Sequence, residues 1–237
     1  LATCVSYALP AMVGVIYFSR KSNVLCFAKP KFNMKLILDS CMNGSSEMVT
    51  QMSGAVTTFL YNAAMLKFLG EDGVASITII LYVQFLLNSA YIGFTSGVSP
   101  RISYNYGSRD DEQLRKIVKY SFTIVCVFAV FIFISSRSFS NVIIGMFSPK
   151  GTALYDITLN GFMIFSFNFL VVGMNIFTSG MFTAFSNGKV SALLSILRTF
   201  ILFTIGIVTL PSFLGVNGVW MVVPFAEFTT LIVSLFF

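Results

Sequence analysis

Between Val74 and Val98 the chain carries no charged residue, and comparably long apolar stretches recur from end to end. A run of roughly twenty such residues crosses a bilayer as a helix. Lipid offers no partner to backbone N–H and C=O groups, so only helices and closed β-barrels span it. Barrel strands would alternate polar and apolar residues, and these stretches do not. The predicted fold is therefore all-α, a polytopic membrane helix bundle. Composition agrees: hydrophobic residues make up 56% of the chain, charged residues 10%, and the mean hydropathy is +0.86. About seven transmembrane helices are expected, at 1–19, 36–66, 74–98, 117–136, 152–185, 190–210 and 219–237.

Basic residues orient these spans. One set of alternate loops holds Arg20, Lys21, Lys29, Lys31 and Lys35, then Arg101, Arg109, Arg115, Lys116 and Lys119, then Lys189. The opposite set holds Lys67, Arg137 and Lys150. Positive residues gather on the cytoplasmic side, so the basic loops are predicted to be cytoplasmic in a multi-pass protein of the plasma membrane. The net charge of +6 then reflects topology and anionic headgroups, and nucleic acid is not an expected partner. The chain opens on Leu1 inside an apolar stretch and ends on Phe237 without a polar tail, so a fragment of a longer protein is expected.

Several chemistries find no residues to carry them. Histidine is absent, which removes the usual zinc ligand and the commonest general base. Cys4, Cys26, Cys41 and Cys126 have no paired spacing, so neither a disulfide nor a metal cluster is expected. The nearest approach to a phosphate loop, Asn187-Gly188-Lys189, is followed by Val190 where Ser or Thr should stand. Tyr155-Asp156 lacks the second aspartate of an intramembrane protease, and the last helix has no lysine to hold retinal. The expectation is a protein that is not an enzyme and needs no cofactor.

Charge at membrane depth is expensive, about 2.5–3.5 kcal/mol on insertion scales, and asks for a functional reason. Glu47 sits within the basic-free stretch between Lys35 and Lys67 and reads as a proton or cation coupling site. It belongs to a polar stripe with Asn43, Thr50, Gln51, Gly54, Thr58 and Asn62, which share one helix face at about 100° per residue. The third span repeats the pattern with Gln84, Asn88, Tyr91 and Thr95, and the fifth with Asn168, Asn175, Ser179 and Ser186. Three such faces turned inward would line a polar pathway; the bland alternative is hydrogen-bonding glue between packed helices. Arg198 and Glu227 fall at similar depths in adjacent spans and can form an ion pair, with a gating role as the other reading. Asp156 lies little more than a turn inside its span. Gly93 and Gly97 form a small-xxx-small step that predicts close helix contact. The charged run from Arg109 to Lys119 reads as a connector whose acids begin the next helix.

The local sequence is similar to that of one family. Gly97-Val98-Ser99-Pro100-Arg101-Ile102-Ser103-Tyr104-Asn105-Tyr106-Gly107 resembles the loop between helices eight and nine of multidrug and toxic compound extrusion (MATE) transporters, with Pro100, Tyr104, Asn105 and Gly107 as its motif. The segment from Asn43 through Gly70 resembles that family's seventh helix, including its buried glutamate at Glu47. Ala184 to Lys189, Leu197-Arg198, Gly218-Val219-Trp220, Pro224 and Ala226-Glu227 resemble helices ten to twelve.

The resemblance implies that 1–19 is the last helix of an N-terminal lobe, 20–35 a basic cytoplasmic interlobe linker, and 36–237 a C-terminal six-helix lobe. It implies secondary active efflux of cationic or amphipathic drugs by antiport with H+ or Na+, the two lobes alternating access. The missing lobe, membrane lipid and the small-molecule substrate are then the partners. Glu47 would alternate between a protonated or sodium-bound state and one that favours a cationic substrate. Asn43, Gln51, Gln84, Asn88, Asn168 and Asn175 would supply neutral hydrogen bonds, and Tyr61 and Tyr91 cation–π faces. The alternative is a lipid-linked saccharide flippase of related architecture, which should carry a more cationic cavity.

Overall fold

A computed structural model describes residues 2–20 and 32–237; within its helices, the side chains of residues 2, 3, 6, 43, 45–47 and 49–51 lie outside the description. It comprises two compact units, Leu1–Asp39 and Ser40–Phe237. The first contains α1 (Ala2–Ser19), an apolar helix with Pro10 inside it.

α2 is a long helical run, Met34–Ser108, broken at Gly70. There φ is 66° and ψ −150°, a conformation open only to glycine, so the chain turns between 34–69 and 71–108 without losing its helical flanks. α3 (Asp111–Ser138) follows, then the short α4 (Ser140–Gly145), α5 (Ala153–Phe165), α6 (Val172–Ala184), α7 (Gly188–Ile196), α8 (Leu202–Leu214) and α9 (Val216–Ser234). A 3-10 turn, Ser166–Leu170, joins α5 to α6, and a π-helical turn, Leu197–Ile201, joins α7 to α8. Among the described residues no strand occurs and five helical runs are long and apolar enough to span a membrane. The first of them, Met52–Ser108, is divided by Gly70, which gives six rods. The protein is an all-α membrane helix bundle. The described apolar part of α1, Tyr7–Ser19, is shorter than the span expected there.

The core is aromatic, with Trp220, Tyr61, Tyr91, Phe162, Phe165, Phe169 and Phe177 fully buried. α9 runs through it, with Val219, Trp220, Val222 and Ala226 almost inaccessible. Trp220 lies against Gly161 of α5 so closely that a Cβ there would stand 2.5 Å from the indole. Gly173 and Gly180 of α6 are likewise closed by Tyr91 and Thr95 of α2.

The predicted close contact at Gly93 and Gly97 does not form, since a Cβ at either would meet nothing within 4 Å. Each lies two residues, about 200° around the helix, from Tyr91 and Thr95, whose face is the one that meets α6. The step of small residues is real; its face is the open one.

The segment expected as a loop is also different. α2 continues through Pro100 to Ser108, so Pro100, Tyr104, Asn105 and Gly107 are helical. Tertiary contacts hold this extension: Ile102 is buried, the Ser103 hydroxyl donates to the Ala184 carbonyl at 2.9 Å, and Tyr106 packs on Phe185 at 5.1 Å between ring centroids. Ser103 thus satisfies one of the carbonyls left open where α6 ends.

Two turns at this end share one construction. Arg109 takes φ 57° before Asp110, which caps α3 by accepting from the Gln113 N–H at 3.0 Å. Ser186 takes φ 58° before Asn187, which caps α7 by accepting from Val190 at 3.4 Å. Asp111 and Glu112 occupy the first turn of α3, as the sequence predicts, and Lys116 pairs with Glu112 at 2.6 Å. The near-phosphate loop at Asn187 to Lys189 is therefore a helix start.

Candidate functional site

α6, α9 and the π-turn bring three polar side chains together inside the bundle. Asn175 donates from Nδ2 to Glu227 Oε2 at 2.6 Å and to the Glu227 backbone carbonyl at 2.9 Å. Arg198 Nε stands 3.8 Å from Glu227 Oε1, near enough for an ion pair and too far for a hydrogen bond. Asn175 and Glu227 are buried, and the Arg198 side chain is 11% exposed.

The predicted pairing of Arg198 with Glu227 is present, and Asn175 joins it. The pair is incompletely satisfied: Arg198 Nε and Nη1 and Asn175 Oδ1 have no hydrogen-bond partner. They border a cleft, also lined by Thr178, Ser195 and Thr230, with room for about one water molecule.

The position of Arg198 on a π-turn is part of this site. A π-turn inserts an extra residue into the helical ladder and frees a carbonyl, and such turns recur at functional positions. Here the Thr199 carbonyl accepts from Thr57 Oγ1 of α2 at 3.5 Å, and Tyr61, one turn on, packs edge-to-face on Phe203 at 5.0 Å. The helix that bears Glu47 is thereby joined to the turn that bears Arg198.

Below the cleft lies a hydroxyl cluster. Ser179 Oγ is 2.9 Å from Ser191 Oγ and 3.2 Å from Ser195 Oγ, and Thr183 Oγ1 donates to Ser191 Oγ at 2.8 Å. Of these, only Ser179 is named by the stripe analysis. Ser179 and Thr183 on α6, and Ser191 and Ser195 on α7, are each four residues apart, and the turn at Ser186 sets the two rows face to face. That repeated spacing across a short turn is a signal readable in sequence.

The other predicted residues fall in different environments. Asn43, Glu47 and Gln51 lie on α2, but their side chains are outside the described residues. Farther along their stripe Gly54 and Thr58 are exposed and Asn62 half-buried, while Tyr61 and Met65, seven residues on from Gly54 and Thr58 and so on the same helix face, are buried in the core. Gln84 and Asn88 are half-buried. Tyr91 is buried, packed on Phe128 at 5.5 Å. Asn168 is fully buried in the 3-10 turn with both amide atoms unpartnered. Of the described stripe residues, Asn168 and Asn175 are buried between helices, Ser179 is half-buried, and Gly54, Thr58 and Ser186 are exposed. Tyr61 and Tyr91 present their rings to phenylalanines. Asp156 is exposed in the first turn of α5, where Thr152 caps the helix by accepting from the Tyr155 N–H at 3.2 Å. Tyr104 is exposed on the end of α2. Among the described residues no three metal-ligating side chains gather.

Comparison with known proteins adds to this geometry. A family model described as MatE matches residues 46–208. The "Multidrug export protein MepA" of Staphylococcus saprophyticus is 24% identical over 225 residues, covering 93% of this chain and 47% of that protein. The protein of the same name in Staphylococcus haemolyticus is 25% identical, covering 100% of this chain and 52% of its own. A crystal structure of MATE in complex with MaL6 has a TM-score of 0.90 at 18% identity, over 99% of this chain and 54% of that one. The chain spans about half the length of the curated relatives it matches.

Proposed function

Because the chain belongs to the MatE family, we propose that it forms half of a secondary active transporter that exports cationic or amphipathic small molecules by antiport with H+ or Na+. The observation that carries this reading is the family match itself, which extends across most of the described bundle. Two similar proteins are named multidrug exporters, and the overlap of about half with each supports a second lobe that completes the transporter.

In this reading 36–237 is the C-terminal lobe, 20–35 the linker and 1–19 the last helix of the other lobe. The compact unit Ser40–Phe237 with its six rods supports the first of these boundaries. The basic ends at Arg101 to Lys119 and at Lys189 face the cytoplasm of a plasma-membrane protein. The exposed stripe of Gly54 and Thr58 continues the face of Glu47, and it borders the central cavity once the second lobe is in place. Glu47 exchanges the coupling ion for the cationic substrate there, its one carboxyl group holding a proton, a sodium ion or the cargo but not two at once. Both compete for one group, and each shifts the lobes toward the arrangement it binds more tightly. The flippase alternative calls for a cationic interior, and Arg198, the basic residue in the middle of the bundle, is already paired with Glu227.

The complete transporter carrying this chain, reconstituted in vesicles with a fluorescent organic cation, tests the reading. Cation movement should follow an imposed H+ or Na+ gradient and stop when the gradient is collapsed. Movement indifferent to both gradients would exclude antiport.

A further inference from the structure

The corner at Gly70 holds a hollow that the proposed function leaves unused. Its volume is about 610 Å3, in the range of a site for one drug-sized molecule. Phe59, Asn62 and Leu66 line it from the rod before the corner, Glu71 and Val74 from the rod after it. The other side of the corner is closed. A Cβ on Gly73 would stand 2.6 Å from Leu69 Cβ and 2.9 Å from the Met65 carbonyl oxygen, and Met65 is fully buried. Core packing draws the two rods together on that face and leaves the hollow on another.

The lining is an apolar wall with one charge in it. Phe59 and Leu66 are 70% and 58% exposed, so most of each side chain is free of the bundle. Glu71 is exposed and belongs to neither ion pair among the described residues, Lys116–Glu112 and Arg198–Glu227. Lys67, on the far side of the break at Gly70, does not line the hollow. Asn62 Oδ1 has no hydrogen-bond partner, so turning that oxygen toward a ligand breaks no bond it makes. An aromatic face, an amide oxygen and a carboxylate all attract positive charge. A hydrocarbon chain would fill the wall and leave all three unanswered. Lys67, Glu71 and Asp72 also crowd the corner, and such charge is tolerated at the aqueous boundary rather than in lipid.

We propose that this hollow binds an organic cation with an apolar body, its ammonium head at Glu71 and its body against Phe59, Leu66 and Val74. The site is distinct from Glu47, which lies fifteen residues before Asn62, about 22 Å along the same rod. Asn62 joins the two, as the last member of the stripe that starts at Asn43 and as part of the hollow's lining. The corner is at the opposite end of the second rod from Arg101. In the antiport reading, on which the purpose of the site rests, a cation displaced from Glu47 is held here before it reaches the outer aqueous phase.

The test reads binding with no gradient imposed. The complete transporter in lipid nanodiscs, illuminated with (4-benzoylbenzyl)trimethylammonium, should cross-link within 59–75. The neutral analogue, with carbon in place of the charged nitrogen, should label that segment far less. Glu71→Gln should raise the ammonium concentration for half-maximal labelling about fivefold, the upper end for an exposed ion pair, and Glu71→Asp, which keeps the charge, should restore most of the loss. Phe59→Leu should raise it about threefold and leave the neutral analogue unchanged. Equal labelling by both probes, unmoved by Glu71→Gln, would mark an apolar groove for acyl chains. No label in the segment from either probe would mean that the second lobe covers the corner. Either result would overturn the proposal. Labelling of the hollow without gradient-driven efflux would keep the site and dismiss the antiport reading; efflux without the labelling would do the reverse.

Discussion

At the scale of single residues, the Arg198–Glu227–Asn175 cluster is where the chain places most at risk. Two charges taken from water repay their desolvation only in good geometry, and removing one leaves the other stranded. Arg198→Met should therefore lower stability by about 3–5 kcal/mol. Arg198→Met combined with Glu227→Leu should recover most of that loss, since both charges are then gone. Thermal unfolding of the wild type, both single variants and the double variant in one lipid or detergent checks this; additive losses would mean the two groups do not interact. Gly161 makes a second demand at this scale. The Trp220 indole fills the volume a methyl group would take, so Gly161→Ala should cost about 1–3 kcal/mol through overpacking, read by the same unfolding measurement.

At the scale of elements, the turns at Arg109 and Ser186 show how the helices are set against one another. Both residues hold a left-handed backbone that costs a side-chain-bearing residue about 1–2 kcal/mol, and in each the following Asp or Asn caps the next helix. Ser186→Gly removes that strain at an exposed site and should raise stability by about 0.5–1 kcal/mol, after the entropy of the added glycine is subtracted. A fall in melting temperature would refute this account of the turn.

The elements also show what the sequence could convey. Apolar length alone was enough to mark the helices of 74–98, 117–136 and 219–237, because lipid imposes helix on any such segment. The Arg198–Glu227 pair was legible for a related reason: charges at matching depth in adjacent spans have few other partners. The extension of α2 through Pro100 was not legible, since Ser103 and Tyr106 are fixed by α6 and its following turn, distant in sequence. The π-turn at Arg198 and the glycine contacts of Gly161 and Gly173 depend in the same way on neighbours that periodicity does not name. Gly93 and Gly97 misled because a motif of spacing says nothing about which face of the helix meets a partner.

At the scale of the whole molecule, the proposed function gives the stripe on α2 and the buried polar cluster different parts. The stripe borders space that a second lobe would enclose; the cluster lies within the described bundle and is tied to α2 through Thr57 and Thr199. In the proposed transporter Glu47 meets the substrate, and Glu227 with Arg198 lies within the bundle. Efflux then depends on a carboxylate that holds either the coupling ion or the cargo. The most direct measurement is gradient-driven efflux of an organic cation by the complete transporter with Glu47→Gln, in vesicles, beside the wild type. The glutamine keeps the size and loses the charge, so efflux should fall at least about tenfold, the loss of one charge-assisted contact in the coupled step, while the protein still inserts and folds. Undiminished gradient-driven efflux from the variant would contradict the account.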